Sequence, residues 1–248
     1  MKIKHLLLSA LIILSIISCT QKERRYVVSS VNGINIPMDS SFDKNTDQAV
    51  VAALEKYRPR YQAIMDSVIG YSNVFLSRGG AESVLGDFAA DVIAAEAERF
   101  FAKPVDMGLL NRGGIRTNIP QGNITYGNVF SAFPFDNYLT IITLSGKDIK
   151  AMFDAFAQSS PQCISRAKVE IENKKVKSVL INGKPLDENK YYNVATINYL
   201  AEGKDFLSML ANYTHCDSSD YRVREAISHY ISNNSPINAE VDGRISIK

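Results

Sequence analysis

The sequence predicts an α+β fold with mixed layers of helices and strands. Apolar residues recur at three- and four-residue spacing in some segments and form short continuous or alternating runs in others. These segments follow one another without the regular alternation of a parallel α/β sheet. With 248 residues and 46% hydrophobic composition, the chain can bury a sizeable core, which excludes a disordered protein.

The first residues have the pattern of an export signal. Two lysines precede an apolar run over residues 6–17, and small residues follow it. The segment 16–19, Ile-Ile-Ser-Cys, resembles the lipobox of bacterial lipoproteins, in which the cysteine is acylated. We therefore expect a lipoprotein signal peptide over 1–18 and lipidation at Cys19. An ordinary signal peptide with an incidental cysteine is the alternative. The mature chain would be exported and lipid-anchored to the bacterial envelope, on its periplasmic or cell-surface side.

The chain after this leader is predicted to have three parts. Residues 19–46 are polar and loop-like, which indicates a tether. Apolar side chains at helical spacing predict a helical segment over 47–70. Pro59 is expected to kink or split this helix, because proline lacks the N–H donor and clashes with the preceding turn. Residues 71–248 are predicted to form the folded domain.

Within 71–248 the pattern predicts a mixture of helices and strands. Ser145 and Asp148 form a capping-box pattern at one helix start. The tripeptide at 173–175 joins two strands as a hairpin. In chain order, the predicted elements are a helix over 81–101, strands over 105–110 and 138–144, a helix after Ser145, strands over 167–171, 176–181 and 191–197, and a helix over 223–231.

The charge balance argues against nucleic acid as a partner. The chain carries 28 Lys and Arg against 26 Asp and Glu, and two of the lysines lie in the predicted signal peptide. The mature chain is therefore formally neutral. Non-specific binding of nucleic acid needs a concentrated basic face, so no nucleic acid is expected to bind.

Two cysteines, Cys163 and Cys216, remain in the predicted exported chain. Oxidation is permitted outside the cytoplasm, so these residues can form a disulfide or remain free thiols. A role as metal ligands is less favoured, because no histidines lie nearby in a suitable spacing. The segment 215–217, His-Cys-Asp, contains the residue types of a thiol nucleophile. Sequence neighbours rarely form the spatial triad that such chemistry needs, so we interpret this segment as a surface loop.

The sequence lacks the spacings that gather a catalytic metal centre. Neither His215 nor His229 stands in a His-Glu-x-x-His or Asp-x-His pattern, and a two-metal hydrolase needs several such ligands. There is no G-x-x-x-x-G-K-[ST] phosphate loop and no G-x-S-x-G nucleophile turn. We therefore expect no catalytic residues in this chain and no metal or other cofactor bound by it.

Two kinds of residue indicate a ligand site. The segment 111–116, Asn-Arg-Gly-Gly-Ile-Arg, follows a predicted strand and places bare backbone amides beside the guanidinium of Arg116. Such a group suits an anion, although a tight turn with a solvated arginine is the alternative. Phe135 and Tyr199 stand beside turn-forming residues. A ring at such a position can stack on a base or pack in the core.

Three segments taken together resemble a known family. They are 111–116, 133–137 (Phe-Pro-Phe-Asp-Asn) and 198–205 (Asn-Tyr-Leu-Ala-Glu-Gly-Lys-Asp). Their order and residue types resemble the C-terminal, substrate-binding domain of the periplasmic and ecto-5′-nucleotidase family. The motifs of that family are Asn-Gly-Gly-Gly-Ile-Arg, then Pro-Phe-Gly-Asn, then a Phe before Gly-Gly-Asp. The likeness covers 71–205 and reaches more loosely to the C-terminus. It implies the α+β fold of a 5′-nucleotidase C-terminal domain.

The resemblance implies roles for individual positions. Asn111 and Arg116 match positions that contact the nucleotide, with Arg116 on the phosphate side. Phe135 and Tyr199 match the two rings that clamp the base in the family. The family has Phe where this chain has Tyr199, and a phenol ring stacks as well as a phenyl ring.

Further roles follow from the same resemblance. Asn137 matches a position that contacts the base, and Asp205 matches one that hydrogen-bonds the ribose hydroxyls. Arg78 lies within a residue of an arginine that meets phosphate. Arg112 and Lys204 replace glycines of the family motifs, and the two added cations favour a more anionic ligand.

The resemblance also implies a missing half. The family's metallophosphatase half, which holds two metals, has no counterpart in this sequence, and residues 47–70 resemble the helix that links the halves. We therefore expect the nucleotide-binding half of a split 5′-nucleotidase, silent alone, which binds a nucleoside monophosphate or a related small molecule. A separate metallophosphatase chain would carry the divalent metals. The alternatives are a surface lipoprotein that feeds nucleosides or nucleotides to uptake, and a structural lipoprotein with a disused site.

Overall fold

The computed structural model describes residues 26–248. The predicted signal peptide and Cys19 lie outside the described residues. Among the helices of this part of the chain, none combines the length and apolarity that crossing a membrane requires.

The chain divides into two units after Val51. In the described part of the first unit, residues 26–39 form no regular secondary structure and are exposed. A short 3₁₀ helix follows at Ser40–Asn45. The carboxylate of Asp39 caps it by accepting a hydrogen bond from the backbone N–H of Ser41 at 2.9 Å.

Helices and strands are interspersed along the described chain. The α-helices are α1 (Gln48–Glu55), α2 (Arg58–Met65), α3 (Val84–Phe101), α4 (Tyr126–Ala132), α5 (Gly146–Gln158), α6 (Asn198–Ala201) and α7 (Val223–Asn234). The strands are β1 (Val68–Ser72), β2 (Met107–Leu110), β3 (Gly122–Thr125), β4 (Tyr138–Ser145), β5 (Cys163–Ser165), β6 (Ala167–Glu172), β7 (Lys175–Ile181), β8 (Lys184–Pro185), β9 (Tyr191–Ile197), β10 (His215–Arg222) and β11 (Ile245–Ile247).

A mixed five-stranded sheet forms the centre of the second unit, residues 52–248, with strand order β10-β4-β9-β2-β5. Strands β2 and β9 are parallel, whereas β4 runs antiparallel to both β9 and β10. A second sheet has the order β11-β6-β7-β8, and β1 pairs with β3. Parallel and antiparallel pairs in one sheet, with helices between strands, confirm the predicted α+β class.

The core lies between the central sheet and α3, which packs on β2 and β5 and against α7. Gly108 of β2 lets α3 approach the sheet closely, since an added Cβ there would lie 2.5 Å from the carbonyl oxygen of Ala90. The largest fully buried side chains include Phe153, Phe156, Leu85, Ile93, Met107, Leu109, Leu139 and Ile141.

The helical segment predicted over 47–70 is confirmed as a helix split near Pro59, and only its last residues are corrected by the structure. The two parts are α1 and α2. Pro59 lies in the first turn of α2, where a backbone N–H would have no acceptor within the helix, so its absence costs no hydrogen bond. Residues 68–72 form β1, whose backbone pairs with β3. The helical spacing of Val68 and Ile69 was therefore misleading, because a short apolar run fits a strand equally well.

Helix caps and the hairpin agree with the sequence. The Ser145 hydroxyl accepts a hydrogen bond from the backbone N–H of Asp148 at 3.2 Å and begins α5. Strands β6 and β7 pair antiparallel, and Asn173 and Lys174 between them have φ of +51° and +58°. Both values are typical of a two-residue hairpin turn. Helix α3 begins at Val84 rather than near residue 81, because Ser83 caps it.

The interpretation of residues 215–217 as a surface loop is wrong. They begin β10, an edge strand that pairs along one side with β4. Its side chains are polar and half-buried or exposed, so no apolar alternation marked it in the sequence. Nε2 of His215 lies 2.9 Å from the Asp217 carboxylate, while the Cys216 thiol contacts Ser218. Because neighbouring side chains of a strand point to opposite faces, these residues do not form a catalytic triad.

Both Cys163 and Cys216 are free thiols. They lie on β5 and β10, the opposite edges of the five-stranded sheet. Four strand spacings of about 4.8 Å separate these edges by roughly 19 Å. A disulfide needs Cα atoms within about 7 Å, so the fold excludes this pairing.

The two thiols are expected to react differently. Burial raises the pKa of Cys163 to about 12, whereas Cys216 is half-buried. Titration of the soluble chain, begun at Thr20, with a thiol-specific disulfide reagent should therefore modify one thiol at pH 8 and two after unfolding. Cys216→Ser should abolish the first reaction. Two reactive thiols in the native protein would contradict the placement of Cys163.

Candidate functional site

The topology brings three loops to one edge of the central sheet. Strands β2 and β9 are parallel, so their carboxyl ends lie on the same edge. Strand β4 is antiparallel to β9, so its amino end lies there too. The segments that follow β2 and β9 and the segment that precedes β4 therefore converge. Crevices beyond the carboxyl ends of strands are common ligand sites in sheets of this kind.

A pocket of about 320 Å³ opens where these loops meet. This volume suits a small organic ligand. The residues that line it come from all three loops and are Asn111, Gly113, Gly114, Phe135, Asn137, Tyr199 and Asp205. Five of the seven binding residues expected from the sequence thus border one cavity.

Asn111 lines this pocket and has a buried acceptor without a partner in the described part of the chain. It follows β2 directly and is 7% exposed, and its Oδ1 has no hydrogen-bond partner among the described residues. Gly114 makes room for it, since an added Cβ there would lie 2.8 Å from that oxygen. A buried polar atom without a partner costs free energy. The Asn111 amide therefore borders the pocket with hydrogen-bonding capacity that the described residues do not use.

Two aromatic rings border the pocket without being core residues. Phe135 is 48% exposed and Tyr199 is 38% exposed, and each lines the cavity. Phe135 lies in the connection between α4 and β4, and Tyr199 lies in α6 directly after β9. Half-exposed rings at a cavity offer flat apolar surfaces on which a planar ligand can stack.

The polar rim of the pocket is provided by Asp205 and Asn137. Asp205 is exposed and has a left-handed backbone with φ of +64°, two residues after Gly203 with φ of +72°. Aspartate tolerates this conformation better than most residues. The backbone of Asn137 is fixed because its carbonyl oxygen accepts a hydrogen bond from Val223 at 2.9 Å.

Arg116 and Arg78 lie beside the pocket and do not line it. The guanidinium of Arg116 is 5.9 Å from the centre of the Phe135 ring and donates to the carbonyl oxygen of Gly113 at 3.2 Å. Arg78 donates to the carbonyl oxygen of Ile115 at 2.6 Å. Arg116 is exposed, so its side chain is accessible to an anion that extends out of the pocket.

The two cations that replace family glycines do not border the cavity. Arg112 turns away, since its backbone N–H donates to Oε1 of Gln162 at 2.8 Å and its guanidinium donates to Ser160 at 2.7 Å. Lys204 is exposed and is not a lining residue. The sequence argument that these residues favour a more anionic ligand therefore finds no support in the pocket.

Arg224 is a residue of this region that the sequence did not indicate. It contacts the connection that bears Phe135 from a position about ninety residues further along the chain. Hydrogen bonding to Arg224 holds the pKa of Asp136 below its ordinary value. No local motif marks such a contact, because the acceptors include backbone carbonyl groups.

Comparison with known proteins defines the class. The family model described as "5′-nucleotidase, C-terminal domain" matches residues 68–212. The chain belongs to this family, which confirms the resemblance drawn from the three segments.

Individual relatives agree with this assignment. The chain is 27% identical over 202 residues to Protein UshA of Escherichia coli, covering 79% of this chain and 36% of that protein. It is 31% identical over 207 residues to an apyrase of Anopheles gambiae, and this match covers 76% of this chain and 36% of the apyrase. The crystal structure of the 5′-nucleotidase precursor of Thermus thermophilus superposes with a TM-score of 0.71 at 26% identity. The superposition covers 81% of this chain and 43% of that chain. The chain thus spans about a third of the length of these sequence relatives.

One acidic cluster among the described residues has the residue types of a metal site. One carboxylate oxygen each of Glu82, Asp87 and Asp242 lies within 4.8 Å of the others. Glu82 already accepts hydrogen bonds from the backbone N–H groups of residues 242–245 at 2.8–3.2 Å. The guanidinium of Arg244 donates to Asp242 at 2.9 Å and to Asp91 at 2.7 Å. The guanidinium of Arg244 therefore already balances negative charge in this cluster. The cluster does not fit a two-metal phosphatase centre.

Asp87 is the exception within this cluster. It is 2% exposed, and its Oδ2 has no hydrogen-bond partner among the described residues. Burial raises the pKa of Asp87 to about 8, with the neighbouring carboxylate of Glu82 adding to the shift. The carboxyl group therefore keeps its proton at neutral pH, where it can donate to Glu82.

Proposed function

We propose that this chain is the nucleotide-binding half of a split 5′-nucleotidase. The observation that carries the proposal is the convergence of Asn111, Phe135, Asn137, Tyr199 and Asp205 on one pocket. An aromatic pair suits a base, and a carboxylate suits the paired hydroxyls of a ribose. The expected ligand is a nucleoside monophosphate or a related small molecule.

Phosphate binding is assigned to the arginines beside the pocket. The exposed guanidinium of Arg116 lies next to the Phe135 ring, so a ligand stacked on that ring would place its phosphate within reach. A planar guanidinium binds phosphate oxygens in pairs, which fixes orientation as well as charge. Arg78 is assigned a lesser role, since its guanidinium already bonds Ile115.

Hydrolysis is assigned to a separate metallophosphatase chain that carries the divalent metals. Helix α2 and the residue that precedes it offer a surface for such a partner, because Tyr57, Tyr61 and Ile64 are each about half or more exposed. The contribution of this chain is to hold the phosphate ester in one orientation. Lipidation of Cys19 would anchor it to the bacterial envelope.

A phosphate-release assay tests whether nucleotide binding and hydrolysis belong to separate chains. The purified chain, begun at Thr20 and supplied with manganese, should bind AMP and release no phosphate from it. A co-purifying chain from the source envelope should restore release, and Phe135→Ala in the binding chain should abolish that restoration. Release by the pure chain would contradict the split arrangement. Binding without any phosphatase partner would favour a role in uptake.

A glycine pair provides a matched test of the pocket. Gly114→Ala places a Cβ 2.8 Å from Oδ1 of Asn111, whereas the nearest atom to a Cβ at Gly113 is 3.8 Å away. Gly114→Ala is therefore expected to lower AMP affinity by about 10-fold or more, because the Asn111 amide must move. Gly113→Ala also adds a methyl group at the pocket but leaves the Asn111 amide in place, so it should lower affinity by less. Calorimetric titration of both variants measures the difference, and equal affinities would remove Asn111 from the site.

A further inference from the structure

Arg224 lies behind the segment that presents Phe135 to the pocket. It is the second residue of α7, and its side chain is 11% exposed. Its Nη1 donates to the carbonyl oxygens of Phe135 at 3.2 Å and Pro134 at 3.4 Å, and its Nη2 pairs with the carboxylate of Asp136. One guanidinium thus bonds three consecutive residues.

The same guanidinium also lies close to an aromatic ring. Its centre lies 5.1 Å from the centre of the Phe130 ring in α4. Nε of Arg224 is buried and has no acceptor among the described residues, which agrees with a position against an aromatic face. Arg224 therefore joins α4, α7 and the connection between α4 and β4.

Phe135 depends on this connection for its orientation. The ring is 48% exposed, so core packing does not fix it. The connection has only five residues, 133–137, between the end of α4 and the start of β4. Its last residue is also tied to α7, because the carbonyl oxygen of Asn137 accepts from Val223 at 2.9 Å. The backbone under the ring is thus held chiefly by the start of α7.

We propose that Arg224 is a positioning residue that fixes the Phe135 ring for ligand binding before the ligand arrives. The proposal rests on the proposed function, since the ligand is taken to stack on that ring. A ring that is already ordered loses less conformational freedom on binding, which raises affinity. Lysine cannot replace Arg224 here, because one ammonium cannot bond two carbonyl groups and a carboxylate in a planar fork.

The ligand-free state gives the first test. The sequence contains no tryptophan, so Phe135→Trp introduces a single fluorescent reporter at the proposed position. In this background Arg224→Lys should lower the fluorescence anisotropy of the indole in the folded protein, measured well below the thermal unfolding temperature of each variant. Arg222→Lys is the matched control, because Arg222 also lies 3.2 Å from Asp136 but makes no hydrogen bond to the carbonyl groups of residues 134 and 135. Unchanged anisotropy in Arg224→Lys would overturn the proposal.

A double-mutant cycle gives the second test. Arg224→Ala should lower AMP affinity by about 3- to 10-fold in the wild-type background and in Tyr199→Ala, and by less than about 2-fold in Phe135→Ala. An equal loss in all three backgrounds would show that Arg224 acts elsewhere. If Arg224→Ala does not fold, Arg224→Lys replaces it. Failure of the wild-type chain to bind AMP would refute the proposed function. The anisotropy test uses the ligand-free protein, so it would still decide whether Arg224 orients the ring at position 135.

Discussion

Phe135→Ala is expected to lower the affinity for AMP by about 10- to 100-fold, because stacking of a base on an aromatic ring contributes about 1–3 kcal/mol. The ring lines the pocket and is half-exposed, so its removal deletes stacking surface without opening a cavity in the core. The thermal unfolding temperature should therefore change little. Isothermal titration of the soluble chain measures the affinity.

Tyr199 supplies the second surface and a matched control. Tyr199→Ala should cause a loss of similar size, since this ring borders the same cavity. Tyr199→Phe keeps the ring and should keep affinity within about 3-fold. If Tyr199→Ala and Phe135→Ala both bind AMP like the wild type, the pocket is not the base-binding site.

Asp87→Asn is expected to stabilise the protein at alkaline pH. The folded state holds the Asp87 proton up to about pH 8, because burial raises its pKa to about 8. The unfolded chain releases that proton near a pH of about 3.9. Between these values the folded state binds more protons, so the contribution of Asp87 to stability falls as pH rises, by about 1.4 kcal/mol per unit at most.

The asparagine variant removes this dependence. Its amide can donate to Glu82 at every pH, as the protonated carboxyl group does in the wild type. The gain in free energy of unfolding over the wild type should be about 3 kcal/mol larger at pH 8 than at pH 5, as measured by urea denaturation. Asp91→Asn is the control, because Asp91 accepts hydrogen bonds from Arg244 at 2.7 and 2.8 Å and should only lose stability. A pH-independent gain in Asp87→Asn would contradict the buried proton.

The pocket residues could be predicted from the sequence because three segments, which lie where strands end or begin, together resemble the 5′-nucleotidase family. The apolar run of β2 stops at Asn111, and the run of β9 stops just before Tyr199. Glycine and aromatic residues at those ends left a ligand site and core packing open, and the family resemblance favoured the ligand site. Parallel pairing of β2 with β9 then places both loops on one edge. The α+β class followed from the same periodicities and is confirmed.

The supports of the site could not be predicted, because they depend on tertiary contacts without a sequence signal. Arg224 bonds backbone carbonyl groups about ninety residues away. Strand β10 is a polar edge strand, so alternation of apolar residues did not reveal it. The three-and-four spacing of apolar residues over 47–70 fitted a helical segment up to residue 70 and also two short helices followed by a strand. The pairing of β1 with β3, which is a tertiary contact, distinguishes the second arrangement from the first.

The most direct test of the central claim is isothermal titration of the wild-type chain, begun at Thr20, with AMP. Adenosine and orthophosphate, titrated separately, divide the affinity between the aromatic pair and the arginines. We expect saturable binding of one AMP per chain, tighter than that of either fragment. No binding of AMP at millimolar concentration would contradict the account, because the pocket would then not be a nucleotide site.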